Sequence, residues 1–210
     1  PVVPPFPSHF HSGPGRLPLR PSLGCQCAWQ LPPISLSAVP AGLCLRITVK
    51  TIGDLTGGIH NLKAGTPVLV EGPFGKFIER PANPKVLLIA GGIGITPIRP
   101  MAEEMAIDGF DVQVLYRAHD QGGLVFKNEL DLIAAQRGVR VAYLLTERGN
   151  GRVEGEAWFR PQSLAQLVPD IVERVVYVCG PKAMTSTVLG SLQSLGVPFD
   201  QIRTEVFRLQ

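Results

Sequence analysis

Residues 85–98, Lys-Val-Leu-Leu-Ile-Ala-Gly-Gly-Ile-Gly-Ile-Thr-Pro-Ile, empty an apolar run of strand length directly into a glycine turn and a helix start. That order predicts a phosphate cradle. Gly91, Gly92 and Gly94 permit a tight turn and close approach of backbone to a ligand, and Thr96 followed by Pro97 reads as an N-cap followed by the first helical position. The free amides of such a helix end would face an anion above the strand. From Gly92 to Pro97 the spacing is G-x-G-x-x-P, which departs from the dinucleotide fingerprint at its last glycine, the one that packs helix on strand. A plain tight turn is the alternative, and the rest of the chain has to decide between them.

Asp111 to Ala118 reads as a second strand whose carboxyl end would approach a nucleotide ribose. An NAD site usually places an acid there, about 20 residues past the glycines. This chain has Tyr116 and Arg117. An arginine suits a 2′-phosphate better than a bare diol, so the reading leans to NADPH, with an arginine on a solvated strand end as the alternative. Asp111 has about the right spacing but lies at the wrong end of the strand.

After Pro84 strands and helices alternate. Strands are expected near 85–90, 112–118, 139–145, 174–179 and 202–207, with helices near 97–108, 125–137, 162–168 and 181–195. The last helix is the clearest, with Pro181 at its start, Met184, Val188, Leu192 and Leu195 on one face, and Gly196 as its stop. Pro100 falls about one turn into the first helix and removes a bond there. The fold class is α/β, a doubly wound five-stranded parallel sheet. Before it, Leu45 to Thr51 alternates as a strand, Gly53 to Gly58 reads as a turn, and Pro67 to Glu71 reads as a short strand ending at Gly72-Pro73-Phe74-Gly75. Short strands with glycine turns suggest a partial antiparallel barrel.

The first 30 residues hold seven of the 20 prolines and no acid, the first acidic residue being Asp54. Prolines at that density remove donors a sheet needs, so this leader is expected to be irregular and to supply no central strand. It has no apolar segment of the kind a secretory signal needs. A net charge of +3 without a basic, aromatic-interleaved stripe argues against nucleic acid as a partner. The longest apolar run, Val86 to Ile98, is too short and too glycine-rich to span a bilayer. Cys25, Cys27, Cys44 and Cys179 stand at neither disulfide-scaffold nor zinc-finger spacing, so no metal site is expected and a reducing, cytoplasmic setting fits.

Collinear motifs over residues 33–210 resemble the ferredoxin-NADP reductase superfamily: Pro-Ile-Ser-Leu-Ser (33–37), Gly-Asp-Leu-Thr (53–56), Glu-Gly-Pro-Phe-Gly (71–75), Gly-Gly-Ile-Gly-Ile-Thr-Pro (91–97), Tyr-Arg (116–117), Cys-Gly-Pro (179–181) and Glu-Val-Phe (205–207). Within it the chain looks most like the flavin and nucleotide module of ferric-reductase-like transmembrane oxidoreductases. The resemblance implies FAD and NADPH as cofactors, with NADH as the alternative, and electron flow from NAD(P)H through FAD to a one-electron acceptor such as ferric iron or haem. It also implies a flavin-type barrel over residues 31–82, a nucleotide domain over 83–210, and membrane association if a haem-bearing membrane domain precedes the module.

By the same resemblance Cys179, Glu205 and Ser35 are the catalytic candidates. Cys179 would flank the nicotinamide, Glu205 would help poise the nicotinamide and flavin edge, and the Ser35 hydroxyl would bond near flavin N5. A buried strand cysteine and a solvated strand acid are the plain alternatives for the first two. Ile34, Ser35, Leu36, Val49 and Thr56 fall on the flavin side, and Gly91, Gly92, Gly94, Thr96, Pro97, Tyr116, Arg117, Cys179, Gly180 and Pro181 on the nucleotide side. The flavin strand departs from the family pattern. Where a cation and an aromatic belong, the chain has Pro32, Pro33 and Ile34, and only Ser35 remains. That leaves a nucleotide-binding module without redox activity, or a non-catalytic structural fragment, as alternatives. It also predicts that residues 1–30 are not native barrel sequence.

Overall fold

The computed structural model describes residues 16–21, 33–40, 44–51, 54–66, 68–70, 77, 80–146, 148–149 and 152–207. In chain order these hold β1 (Arg16–Pro21), β2 (Pro33–Ser35), α1 (Asp54–His60), β3 (Val68–Val70), β4 (Lys85–Gly91), α2 (Ile95–Ile107), β5 (Asp111–Ala118), α3 (Lys127–Arg137) and β6 (Arg140–Leu145). A two-stranded hairpin of β7 (Arg148–Gly149) and β8 (Arg152–Val153) follows. Then come α4 (Pro161–Leu167), β9 (Val175–Pro181), α5 (Lys182–Ser194) and β10 (Ile202–Phe207).

The main sheet has the order β10-β9-β4-β5-β6, and every pairing in it is parallel. Side chains alternate across a strand, so a strand covered on both faces must be apolar at every position. β4 meets that condition. Val86, Leu88 and Ala90 pack with Ile95, Ile98, Met101, Leu130 and Ile133 of α2 and α3, while Leu87 and Ile89 pack with Leu164, Val188 and Leu192 of α4 and α5. The five expected strands and four expected helices are all present. α5 keeps its predicted face, with Met184, Val188 and Leu192 buried, and Gly196 follows its end at φ +80°.

The smaller sheet is antiparallel, in the order β2-β1-β3. Here the structure corrects the expectation that the leader supplies no central strand, because β1 lies in the middle. The ladder explains how prolines fit. Arg16 to Pro18 pair only with β2 and Leu19 to Pro21 only with β3, so no residue of β1 has to serve both neighbours. Two further corrections lie nearby. Gly53 to Gly58 is not a plain turn, since Asp54 opens α1. Leu45 to Thr51 is not a continuous strand; among the described residues Ile47 makes one antiparallel bridge, to Leu36 just past β2. The motif at residues 71–75 and the Cys25 and Cys27 pair lie outside the described residues.

Candidate functional site

From β4 the chain winds through β5 to β6 on one side, then returns to set β9 against β4 on the other. The carboxyl ends of β4 and β9 therefore flank the switch point, where open α/β sheets take their ligands. Register puts one row of candidates across it: Glu205 lies opposite Cys179, Cys179 opposite Ala90, and Ala90 opposite Tyr116. One step further along, Gly91 lies opposite Arg117.

The glycines divide into two kinds. Gly92 has φ +54° and open space where a β-carbon would stand, so it supplies the left-handed turn and leaves room above it. Gly94 is required by packing. A β-carbon there would lie 2.6 Å from the Cys179 carbonyl carbon, so Gly94 takes over the close-packing task of the fingerprint's missing glycine. Gly91 and Gly180 face each other, and Met184 fills the space beside both. The sequence marks Met184 as core, and its burial in the α5-side cluster agrees; its fit against two glycines on adjacent strands was not legible from its helical spacing.

The helix start differs from expectation. A 3-10 turn spans Gly92–Gly94, α2 begins at Ile95, and its N-cap is Gly94 with no side-chain bond. Thr96 is buried inside the first turn and its hydroxyl donates to the Ile93 carbonyl at 2.9 Å. Thr96 is thus not the cap, and Pro97 lies beyond the first helical position. α2 starts earlier than the motif suggests, directly after the glycine turn.

Tyr116 and Arg117 part company. Tyr116 is fully buried, its hydroxyl donates to the Gly123 carbonyl at 3.1 Å, and burial pushes its phenol up to about 12. Its side chain therefore belongs to the core. Strand alternation sends Arg117 to the other face. Its Nε is buried without a hydrogen-bond partner, an arrangement that costs free energy until an acceptor arrives. Asp111, at the opposite end of β5, accepts from Arg174 and Arg140 at 2.8 Å each, which confirms that it faces away from the site.

Cys179 is fully buried in the α2-side cluster, and Glu205 is 8% exposed beside it. Paired positions of adjacent strands share a face, so thiol and carboxylate lie on the same side of the sheet. On the flavin side Ile34, Ser35 and Leu36 are buried, Val49 is half-buried, and Thr56 is half-buried on α1. Ser35 Oγ is buried without a partner. An orphan hydroxyl at Ser35 and an orphan guanidinium nitrogen at Arg117 fit residues that would meet polar groups of bound cofactors.

Residues 88–189 match the oxidoreductase NAD-binding domain family. A structure titled as the flavohem-like FAD/NAD binding domain of nitric oxide dioxygenase from Vibrio cholerae superposes with a TM-score of 0.76 at 26% identity, over 93% of this chain and 85% of that one. The chain carries an oxidoreductase NAD-binding domain and has the fold of the ferredoxin-NADP reductase superfamily. The ferredoxin-NADP+ reductase of Plasmodium falciparum shares the superfamily fold, with a TM-score of 0.73 at 18% identity over 94% of this chain and 84% of that one. By sequence, the glycine betaine monooxygenase reductase subunit of Chromohalobacter salexigens is 33% identical, over 77% of this chain and 46% of its own length. The ferredoxin reductase component of 3-ketosteroid-9-alpha-monooxygenase from Mycobacterium tuberculosis is 30% identical, over 78% and 46%. The chain thus spans about half the length of these curated relatives. Among the described residues no helix is long and apolar enough to cross a membrane.

Proposed function

We propose that this chain takes a hydride from NAD(P)H onto FAD and passes the electrons singly to an acceptor, with NADPH the preferred donor. The observation that carries the reading is the unpartnered Arg117 Nε, one strand from the open turn at Gly92. Together they would offer a cation and an open glycine turn to the two ends of a phosphorylated nucleotide. Bound flavin would supply a group that accepts two electrons and releases them one at a time, which no side chain does.

The chain's own residues position and hold. Gly92 and the start of α2 would hold the pyrophosphate, and Arg117 the 2′-phosphate. Cys179, Gly180 and Pro181 would flank the nicotinamide, with Glu205 beside it. Ser35 would offer its hydroxyl to the flavin, Thr56 would meet a flavin phosphate, and Ile34, Leu36 and Val49 would lie on the flavin side. The relatives are named as reductase components of monooxygenases, which supports a monooxygenase component as acceptor. Ferric iron and a haem-bearing membrane domain rest on the resemblance to membrane reductases alone.

A second reading, nucleotide binding without redox activity, is favoured by Pro32, Pro33 and Ile34 standing where a cation and an aromatic belong. One experiment separates the two. Purified chain is mixed with FAD, freed of excess, and titrated anaerobically with NADPH. Retained flavin absorbance that bleaches supports the reductase; NADPH binding with no retained or bleached flavin supports the second reading.

A further inference from the structure

The strip at residues 44–48 is joined to α3 by one side chain. Arg46 donates through NH1 and NH2 to the two carboxylate oxygens of Glu129, at 3.1 and 2.8 Å, and NH2 also donates to the Ser37 carbonyl at 2.6 Å. Its guanidinium carbon lies 5.1 Å from the ring centroid of Phe126. Among the described residues Phe126 is the single non-glycine with positive φ, at 65°. A left-handed backbone is costly for a residue with a β-carbon and persists where surroundings enforce it. Here the ring is packed between the α2-side core and Arg46. Glu129 is shared with Arg99, whose Nε is 2.9 Å away, so the carboxylate is itself anchored to α2.

On its other side Arg46 holds the strand that carries Ser35. The Ser37 amide donates to the Arg46 carbonyl at 2.8 Å, Thr48 Oγ1 donates to Ser37 Oγ at 2.9 Å, and Leu36 bridges Ile47. Ser37 lies two residues past Ser35, just beyond the end of β2. We propose that Arg46 is a positioning residue. By clasping the Ser37 carbonyl to Glu129 it sets where Ser35 stands relative to the switch point carrying Cys179 and Glu205, without touching either cofactor. The proposal rests on the reductase reading above. Such sites need geometry held to about 0.5 Å, and small misplacements of reacting groups can slow a reaction about 100-fold. The pair is partly exposed, at 42% for Arg46 and 33% for Glu129, so its loss should move geometry more than stability.

The test uses the full chain in two measurements. In anaerobic stopped-flow with FAD bound, Arg46→Met should lower the limiting rate of flavin bleaching by NADPH about 10-fold or more, with NADPH affinity and Tm nearly unchanged. Arg46→Lys, which keeps the charge but not the two-pronged contact, should fall between, and adding Glu129→Gln to Arg46→Met should lower the bleaching rate no further, although it weakens the pair with Arg99 and so lowers Tm. An unchanged limiting rate, or a loss that tracks Tm, overturns the proposal. Without added flavin, the amides of residues 34–37 should exchange hydrogen about 10-fold faster in Arg46→Met while residues 85–91 hold. If the parent chain does not bleach, the reductase reading fails and this exchange measurement decides alone: equal exchange overturns the clasp, and faster exchange supports it.

Discussion

Gly94 stands against the backbone of Cys179, so that a β-carbon on Gly94 would lie 2.6 Å from the Cys179 carbonyl carbon. The obstacle is strand backbone, which cannot rotate aside. Gly94→Ala must therefore lift the 92–94 turn off β9, and overpacking of this kind costs about 3 kcal/mol. At Gly91 the obstacle is the flexible end of Met184, which can swing away. Thermal denaturation of the two variants should show the larger loss for Gly94→Ala. Equal losses would mean that the turn is free to move.

Arg117→Ala should weaken NADPH and spare NADH. Its Nε is buried without a partner at the carboxyl end of β5, and a charge-assisted contact to phosphate contributes about 1.5–3 kcal/mol, or roughly 10- to 100-fold in affinity. Calorimetric titration with both nucleotides measures this directly. The same loss for each would detach Arg117 from the 2′-phosphate.

Cys179→Ala concerns rate. The thiol is fully buried at the carboxyl end of β9, so its removal leaves a small void there. With flavin bound, the expected outcome is slower bleaching by NADPH, up to about 100-fold, with nucleotide affinity nearly unchanged. Stopped-flow absorbance reads both quantities. A rate equal to the parent's would make Cys179 ordinary core.

The parallel sheet was legible because its strands are covered on both faces: Val86 to Ala90 can be nothing but a buried strand, and Gly196 and Pro181 bracket α5 by their own backbone limits. Tyr116 and Arg117 were read together since motif spacing carries no face. Strand alternation separates them, and only the register reveals which one points inward. Thr96 misled for a different reason. Its N-cap chemistry is sound, but α2 starts directly after the glycine turn, where Gly94 packs against Cys179, a contact between segments far apart in sequence. β1 escaped notice because proline density argues against a strand only where each residue must serve two neighbours. The Arg46 clasp joins residues 83 apart in sequence, and nothing local marks either end.

At the amino end of the sheet Arg174, fully buried, donates to both carboxylate oxygens of Asp170 at 2.8 Å, to Asp111 Oδ2 at 2.8 Å, and to the carbonyls of Asp111 and Val86 at 3.1 and 3.3 Å. The hydrogen bond from Arg174 holds the Asp170 carboxyl down at about 2, from an ordinary 3.8, against the opposing effect of burial. A carboxylate depressed in the folded state stabilises the fold above its unfolded pKa and gives that up as pH falls toward its folded pKa. Denaturation temperature should therefore lose this contribution between about pH 4 and pH 2. Arg174→Met should start lower at pH 7, by about 3 kcal/mol for a broken buried pair, and fall less steeply below pH 4 because Asp170 then titrates nearer its unfolded value. Asp111, which burial pushes up and Arg174 helps hold down, shifts in the same sense, while carboxylates that do not touch Arg174 cancel in the difference. Circular dichroism melts at closely spaced pH values give both curves, and parallel curves would show that Arg174 does not set the Asp170 titration.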